Sequence, residues 1–285
     1  MKPIIKYRGG KSKEVHLLTP YIPNYTGRYI EPFLGGGAMY FHLEPQRAII
    51  NDINTKLMNF YLAVQQNYPE LSEELAQLEE TYTTNREAFD ALKRKHPNER
   101  VEDKNEALYY KLRDMFNGLE KPKYSAAALY YFINKTAYSG MIRFNSKGEY
   151  NVPYGRYKNF NTSLITEQHH QLLSNTEILN TDYRKIFALV QPDDFVFLDP
   201  PYDCIFSDYG NEEYKDGFSE ANHRQLANDF HNLSCRALMV IGATPLTRGL
   251  YGANIVAEYG KNYSVNIRNR FQAEAVHIIV TNYGN

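Results

Sequence analysis

Short apolar runs bounded by turn residues, alternating with longer amphipathic stretches, constrain this chain more than any other feature. Six runs read as buried strands: Tyr29-Ile30-Glu31, Ala48-Ile49-Ile50, Glu177-Ile178-Leu179, Phe195–Leu198, Ala237–Ile241 and Val276–Val280. Helical segments lie between most of them, as in Asn54–Gln66 or Ser219–Leu233, where Ser219 with Asn222 after it forms a candidate cap. This alternation predicts an α/β fold with a mostly parallel sheet covered on both faces. The pattern breaks between about residues 55 and 165, a stretch that is helical and polar, then Tyr-rich and basic. We therefore expect a sheet-bearing domain from residues 1–55 and 165–285 and an inserted module over 56–164, for which 285 residues leave room. No apolar run approaches the roughly 18 residues of a membrane span. Met1–Tyr7 meets charge and Gly9-Gly10 before a signal-peptide core could develop, so the cytoplasm is the expected location.

The formal charge of −1 argues on its face against a polyanionic partner, but its distribution does not. Between residues 121 and 160, seven bases (Lys121, Lys123, Lys135, Arg143, Lys147, Arg156, Lys158) face a single acid, Glu149. Residues 69 to 106 hold eleven acids and six bases. A phosphate-binding surface responds to local potential, so the basic stretch is either such a surface or a solvated loop. Cys204 and Cys235 lack metal or redox spacing and read as small buried hydrophobes. His169-His170, His223 and His231 lack acidic or Cys partners at ligand spacing, so no metal is expected and surface roles are.

In open α/β sheets, ligands bind beyond the carboxyl ends of the strands. After the first strand comes Glu31-Pro32-Phe33-Leu34-Gly35-Gly36-Gly37, whose glycines permit close backbone approach without the G-x-G-x-x-G phosphate fingerprint. After the second comes Asn51-Asp52-Ile53-Asn54, where Asp52 is either a ribose-binding acid or a helix cap. After Phe195–Leu198 comes Asp199-Pro200-Pro201-Tyr202. A given four-residue string occurs in a chain of this length with a chance of order 10⁻³ at typical residue frequencies. Two prolines end the strand and stiffen the loop, so the tetrapeptide is either a rigid turn or a mount for a carboxylate, a carbonyl and an aromatic face. The N-terminal Lys6-Tyr7-Arg8-Gly9-Gly10-Lys11 sets a Gly pair among cations, a carboxylate- or phosphate-binding pattern.

Together these segments resemble the DNA adenine-N6 methyltransferases related to the bacterial GATC methylase. Tyr7–Lys11 resembles the family's N-terminal cofactor motif, Glu31–Gly37 its Gly-rich loop, Asn51–Asn54 its ribose-binding motif and Asp199–Tyr202 its catalytic motif. Arg143–Tyr157 is similar to its DNA-reading hairpin and Val280–Tyr283 to its C-terminal strand. The order, cofactor motifs before target recognition before catalytic motif, matches the family's alpha arrangement.

The resemblance implies a Rossmann-like S-adenosylmethionine-dependent methyltransferase domain carrying a helical and hairpin target-recognition insertion. Its cofactor has no phosphate, consistent with the glycine spacing. By this resemblance Tyr7, Lys11, Glu31, Phe33, Gly35, Gly37, Asp52, Asp182 and Asp199 serve the cofactor: Lys11 its methionine carboxylate, Asp52 its ribose, Asp182 its adenine amino group. Thr181 stands where relatives often have Gly. Asp199 and the Pro200 carbonyl accept the N–H bonds of the target amine, and Tyr202 stacks on a flipped-out adenine. Arg143 reads a guanine edge. Tyr138, Ser139, Met141, Asn145 and Pro153 match other recognition or intercalation positions, and Lys147, Arg156 and Lys158 read as phosphate contacts. Ser139 and Met141 depart from the Asn and Leu common in GATC methylases, so the expected target is GATC or another short site containing GA. The implied partner is double-stranded DNA, without a membrane and with the protein expected as a monomer; a cognate restriction endonuclease is left open. An RNA adenine methyltransferase and a non-catalytic DNA-binding protein of the same fold are the competing readings. Of 25 tyrosines, Tyr7 and Tyr202 stand where an aromatic face stacks, and Tyr138, Tyr150, Tyr154 and Tyr157 lie in the recognition region.

Overall fold

The computed structural model describes residues 1–7, 9–202, 218–261 and 275–284. Arg8 and Cys204 lie outside the described residues. Its strands are β1 (Tyr29–Glu31), β2 (Ala48–Asn51), β3 (Thr176–Leu179), β4 (Phe195–Leu198), β5 (Arg236–Gly242), β6 (Ile255–Lys261) and β7 (Ala275–Thr281). The helices are α1 (Val15–Leu18), α2 (Ala38–Leu43), α3 (Thr55–Gln66), α4 (Tyr68–Lys95), α5 (Lys104–Phe116), α6 (Ala126–Thr136), α7 (Glu167–Ser174), α8 (Tyr183–Phe187), α9 (Glu220–His231) and α10 (Pro245–Tyr251). Two compact units share the chain. One comprises residues 1–10, 35–44 and 54–178; the other comprises 11–34, 45–53 and 179–285.

The second unit carries the sheet, ordered β3-β2-β1-β4-β5-β7-β6, with β3 reaching it at Leu179. β1 pairs in parallel with β2 and β4, and β4 with β5; β7 runs antiparallel to both β5 and β6. This is a Rossmann-like α/β sheet, mostly parallel with an antiparallel edge. All six apolar runs lie in strands, and the central ones are apolar throughout because they are buried on both faces, as Phe195–Leu198 is; Glu177–Leu179, expected to be buried, is in the edge strand β3, where Glu177 is exposed. Ile30, Val196, Leu198, Met239 and Ile241 are at most 1% exposed, and each such side chain contributes about 1.5–3 kcal/mol by leaving water.

The sequence pattern missed β6. An edge strand pairs on one side only, so Ile255–Lys261 carries Glu258, Gly260 and Lys261, and a bulge between Ile255 and Ala257 interrupts its register. Ser219 and Asn222 form a reciprocal capping box at the start of α9.

Asp194 fastens the entry to β4. Its carboxylate accepts from the Arg28 amide at 2.7 Å, the Gln191 amide at 2.9 Å and the Arg28 guanidinium at 2.7 Å. Burial alone would raise its pKa, but the hydrogen bonds from Arg28 and Gln191 outweigh it and hold the group below its ordinary 3.8. Stability from a depressed carboxylate is fully present above the unfolded pKa and lost as pH falls through the folded one. Asp194→Asn should therefore cost about 2–4 kcal/mol at pH 7 and flatten the acid limb of stability below about pH 4. Urea melts from pH 7 to pH 3 check this; parallel curves for the two proteins would refute it.

The first unit is helical, built around α6. Ala126–Thr136 is apolar on nearly every face and its residues from Ala127 onward are all buried, as expected of a helix at the centre of a unit. Its polar members serve the chain's start: Asn134 bonds the Lys6 amide at 2.8 Å and the Lys6 carbonyl at 2.7 Å. The Lys135 ammonium donates to the Ile4 carbonyl. Burial, aided by the neighbouring Lys6 charge, lowers the Lys135 pKa to about 8. One of the seven bases of the basic stretch is thus turned inward, which fits neither a phosphate-binding surface nor a solvated loop. The surface reading of the histidines also fails for His169 and His223, which are 5% and 0% exposed. His169 completes a capping box with Thr166 and reaches the Lys2 carbonyl. Cys235 is buried as expected.

Candidate active site

In the second unit, Glu31, Asn51 and Leu198 end the adjacent parallel strands β1, β2 and β4, so Asp52 and Asp199 begin neighbouring loops at the carboxyl edge of the sheet. Asn51 ties these loops down. Its amide donates to the Pro32 and Thr181 carbonyls at 2.9 and 3.0 Å and accepts from the Thr181 amide at 2.9 Å. Asp52 is 7% exposed, and its carbonyl accepts from the Asn180 side chain at 2.8 Å. The cap of α3 is Asn54, which accepts from the Leu57 amide at 3.1 Å, so the Asp52 carboxylate is not needed there. Glu31 is buried and accepts from the Tyr29 hydroxyl at 2.6 Å. Phe33 packs on Tyr183 with centroids 5.2 Å apart.

Asp199 meets Lys11. The ammonium lies 2.7 and 2.8 Å from the two carboxylate oxygens, with Lys11 3% exposed and Asp199 21% exposed at the side chain. A cation this deep requires an anion, because uncompensated burial costs several kcal/mol. Tyr202 donates to Asp199 Oδ1 at 3.2 Å, and its ring lies 4.8 Å from the same ammonium. Lys11, Asp199 and Tyr202 are thus brought together, with Pro200 buried between the last two. Asp182 caps α8 through the Arg184 amide at 2.9 Å and pairs with the Arg184 guanidinium at 2.8 and 3.0 Å. That side-chain hydrogen bond, against a smaller opposing effect of burial, lowers its pKa.

Sequence reasoning missed Glu14, Tyr259 and His277 beside this cluster. Tyr259 donates to Glu14 at 2.7 Å, and His277 Nδ1 lies 3.2 Å from that hydroxyl and 3.3 Å from Glu14. The available signals were one histidine inside the apolar run Val276–Val280 and an acid one turn beyond Lys11.

In the first unit, Tyr7 packs under the glycine loop. A Cβ on Gly35 would stand 2.7 Å from the Tyr7 ring and one on Gly36 2.9 Å from its Cβ, and Gly35 is left-handed (φ +49°), so a side chain is excluded twice over. Gly37, also left-handed, precedes α2.

The expected hairpin is present. Phe144 and Tyr150 pair antiparallel around a turn in which Asn145 Oδ1 accepts the Lys147 and Glu149 amides at 2.9 and 3.0 Å. A second bridge joins Ala137 to Tyr154, and the Tyr138 amide donates to the Pro153 carbonyl at 2.9 Å. Arg143 is exposed, its Nε 2.9 Å from Asn151 Oδ1. Lys147, Pro153, Arg156 and Lys158 are exposed, and Arg156 reaches Glu106 at 3.3 Å. Ser139 is exposed and left-handed (φ 53°), and Met141 is half-buried. Of the region's tyrosines only Tyr138 is well exposed, at 50%. Tyr150 and Tyr154 are buried and anchor the hairpin through Met141 and Tyr82.

A Rossmann-like sheet with Glu31, Asp52 and Asp199 at the carboxyl ends of its central strands, and a carboxylate–proline–proline–aromatic mount after β4, matches the arrangement that the resemblance to adenine methyltransferases implies. The family model described as D12 class N6 adenine-specific DNA methyltransferase matches residues 7–265, and the chain belongs to that family. It is 33% identical to a Type II methyltransferase, M.CviBI, of Paramecium bursaria Chlorella virus NC1A, over 99% of this chain and 100% of the relative. It is 30% identical to the Type II methyltransferase M1.LlaDCHI of Lactococcus lactis subsp. cremoris, over 100% and 96%. A DNA adenine methylase of Haemophilus influenzae is 28% identical over 80% and 73%. The protein is an adenine-specific DNA methyltransferase, and the competing RNA and non-catalytic readings fall away. Among the described residues no helix is long and apolar enough to cross a membrane.

Proposed function

We propose that this enzyme takes the methyl group from S-adenosylmethionine and places it on N6 of an adenine flipped out of duplex DNA, within GATC or a related short site containing GA. The observation that carries the reading is the Lys11–Asp199–Tyr202 cluster after β4. The donor set suits a phosphate-free, zwitterionic nucleoside: a deeply placed ammonium and a nearly buried Asp52 carboxylate. The bound cofactor supplies an electrophilic methyl on a sulfonium.

The rest of the chemistry falls to the protein. An exocyclic amine with its lone pair delocalised into the base is a poor nucleophile. Asp199 and the Pro200 carbonyl each accept one N–H of that amine, directing its lone pair outward and stabilising the positive charge that develops on nitrogen. After transfer the nitrogen gives up one proton, which Asp199 is suited to accept. Tyr202 stacks on the extruded base. Lys11 has three N–H donors, enough to hold Asp199 and the cofactor carboxylate. Asp52 accepts from the ribose, and Asp182 from the cofactor's adenine amino group. Glu31, Phe33, Gly35 and Gly37 shape the same site.

Residues 56–164 act as the target-recognition domain, and 1–55 with 165–285 as the catalytic domain. Arg143 forks to a guanine edge, Tyr138, Ser139, Met141, Asn145 and Pro153 contact or wedge bases, and Lys147, Arg156 and Lys158 hold phosphates. The enzyme works as a cytoplasmic monomer; a cognate endonuclease is the partner that the Type II relatives' names bring into question.

The test is methyl incorporation into a panel of duplexes and into RNA, with wild type and Arg143→Ala. Wild type should modify one GA-containing site in duplex DNA. Arg143→Ala should lose about 5- to 150-fold in preference for that site, from about 1–3 kcal/mol for a bidentate contact. Activity confined to DNA lacking GATC would remove the narrower assignment, and undiminished preference in the variant would remove Arg143 from recognition.

A further inference from the structure

We propose that His277, held by Tyr259 and Glu14, is a positioning residue for Tyr202; this rests on the reading that Tyr202 stacks on the target base. His277 on β7 is in register with Gly242 of β5 on one side and Tyr259 of β6 on the other. The Tyr202 ring lies over Gly242, 3.8 Å from where a Cβ would stand, and meets the His277 ring edge-on, with centroids 5.0 Å apart and planes at 70°. Among the contacts that set Tyr202 are its hydroxyl on Asp199 and its ring against His277.

A supporting ring is useful only if its own orientation is fixed. Tyr259 has one proton and gives it to Glu14 at 2.7 Å, since a carboxylate only accepts. Toward His277 the Tyr259 oxygen is thus an acceptor, so Nδ1, 3.2 Å away, carries the hydrogen. Glu14 Oε2 lies 3.3 Å from the same nitrogen. One acid fixes the tautomer and the plane of the imidazole, and His277 and Glu14 are 1% and 6% exposed, so water does not compete freely.

Glu14 belongs to the same turn as Lys11, its amide bonded to the Lys11 carbonyl at 2.7 Å. A single turn of chain therefore grips the catalytic motif twice, at the Asp199 carboxylate through Lys11 and behind the Tyr202 ring through Glu14. A buried histidine and glutamate, joined through a half-buried tyrosine, are a costly way to fill space. As a device for fixing an aromatic face beside a reacting centre it has a purpose.

The experiment is a double-mutant cycle read by single-turnover methyl transfer and by the fluorescence of a duplex with 2-aminopurine at the target adenine. The proteins are wild type, His277→Ala, Tyr202→Ala, the double variant and Tyr259→Phe, each checked by thermal melt and cofactor binding. His277→Ala should lower the transfer rate about tenfold and diminish the fluorescence rise, with cofactor affinity unchanged within about twofold, and Tyr259→Phe should lower the rate about threefold. The double variant should be no slower than Tyr202→Ala alone, since the histidine acts through that ring. Losses that multiply, or full activity in both His277→Ala and Tyr259→Phe, would overturn the positioning role while leaving the stacking role of Tyr202 standing. Wild-type activity in Tyr202→Ala would overturn both.

Discussion

Alanine at position 199 is expected to abolish methyl transfer, a loss of at least about 10³-fold in turnover. The Asp199 carboxylate follows the last buried residue of β4 and is itself about a fifth exposed, so removing it opens no cavity in the apolar core. What disappears, on the proposed mechanism, is the acceptor that directs the amine and balances its developing charge. Removing a single such electrostatic partner typically costs about 10² to 10³ in turnover. Here the same group also receives the Tyr202 hydroxyl and the Lys11 ammonium, so its loss disturbs all three. Asp199→Asn keeps the volume and one acceptor oxygen, and it should fall between alanine and wild type. Single-turnover kinetics on folded protein measures this, and near-wild-type turnover in Asp199→Ala would end the mechanism.

Replacement of Lys11 by alanine carries the second largest effect. A hydrogen bond to a charged group contributes about 1.5–3 kcal/mol, so if Lys11 holds the cofactor carboxylate as proposed, its loss should weaken binding by about 10- to 150-fold. The variant also leaves Asp199 without its buried counter-charge, so turnover should fall along with affinity. Arginine should not rescue it, because a planar fork does not fit where a compact ammonium is 3% exposed. Titration calorimetry with S-adenosylmethionine and a demethylated analogue checks the first loss. Unchanged affinity with reduced turnover would confine Lys11 to holding Asp199.

The central sheet was legible because strands buried on both faces leave continuous apolar runs, as at Phe195–Leu198 and Ala237–Ile241. β6 was not, since among the described residues it pairs on one side only and its residues answer to solvent as well as to the sheet. The Asp199–Tyr202 motif was legible from its rarity and its position after a strand. The pairing of Lys11 with Asp199 was not, because residues 188 positions apart are joined by the fold alone. Local charge was a better guide than the total, yet Lys135 shows its limit: α6 is buried on nearly all faces, and a lysine within it turned toward Ile4. Tyr150 and Tyr154 were placed in the recognition region by sequence without a role; with Tyr82 they spend their rings and hydroxyls anchoring the hairpin. His277 escaped notice because one polar residue in an apolar strand has no period, and its partners come from Glu14 and Tyr259.

Base-resolution sequencing of modified nucleotides in DNA from cells expressing the protein tests the assignment most directly, since it reads the base, the atom and the site together. The account predicts N6-methyladenine at one short GA-containing site with wild type and none with Asp199→Ala. Methylation of another base, or adenine methylation that persists in Asp199→Ala, would contradict it.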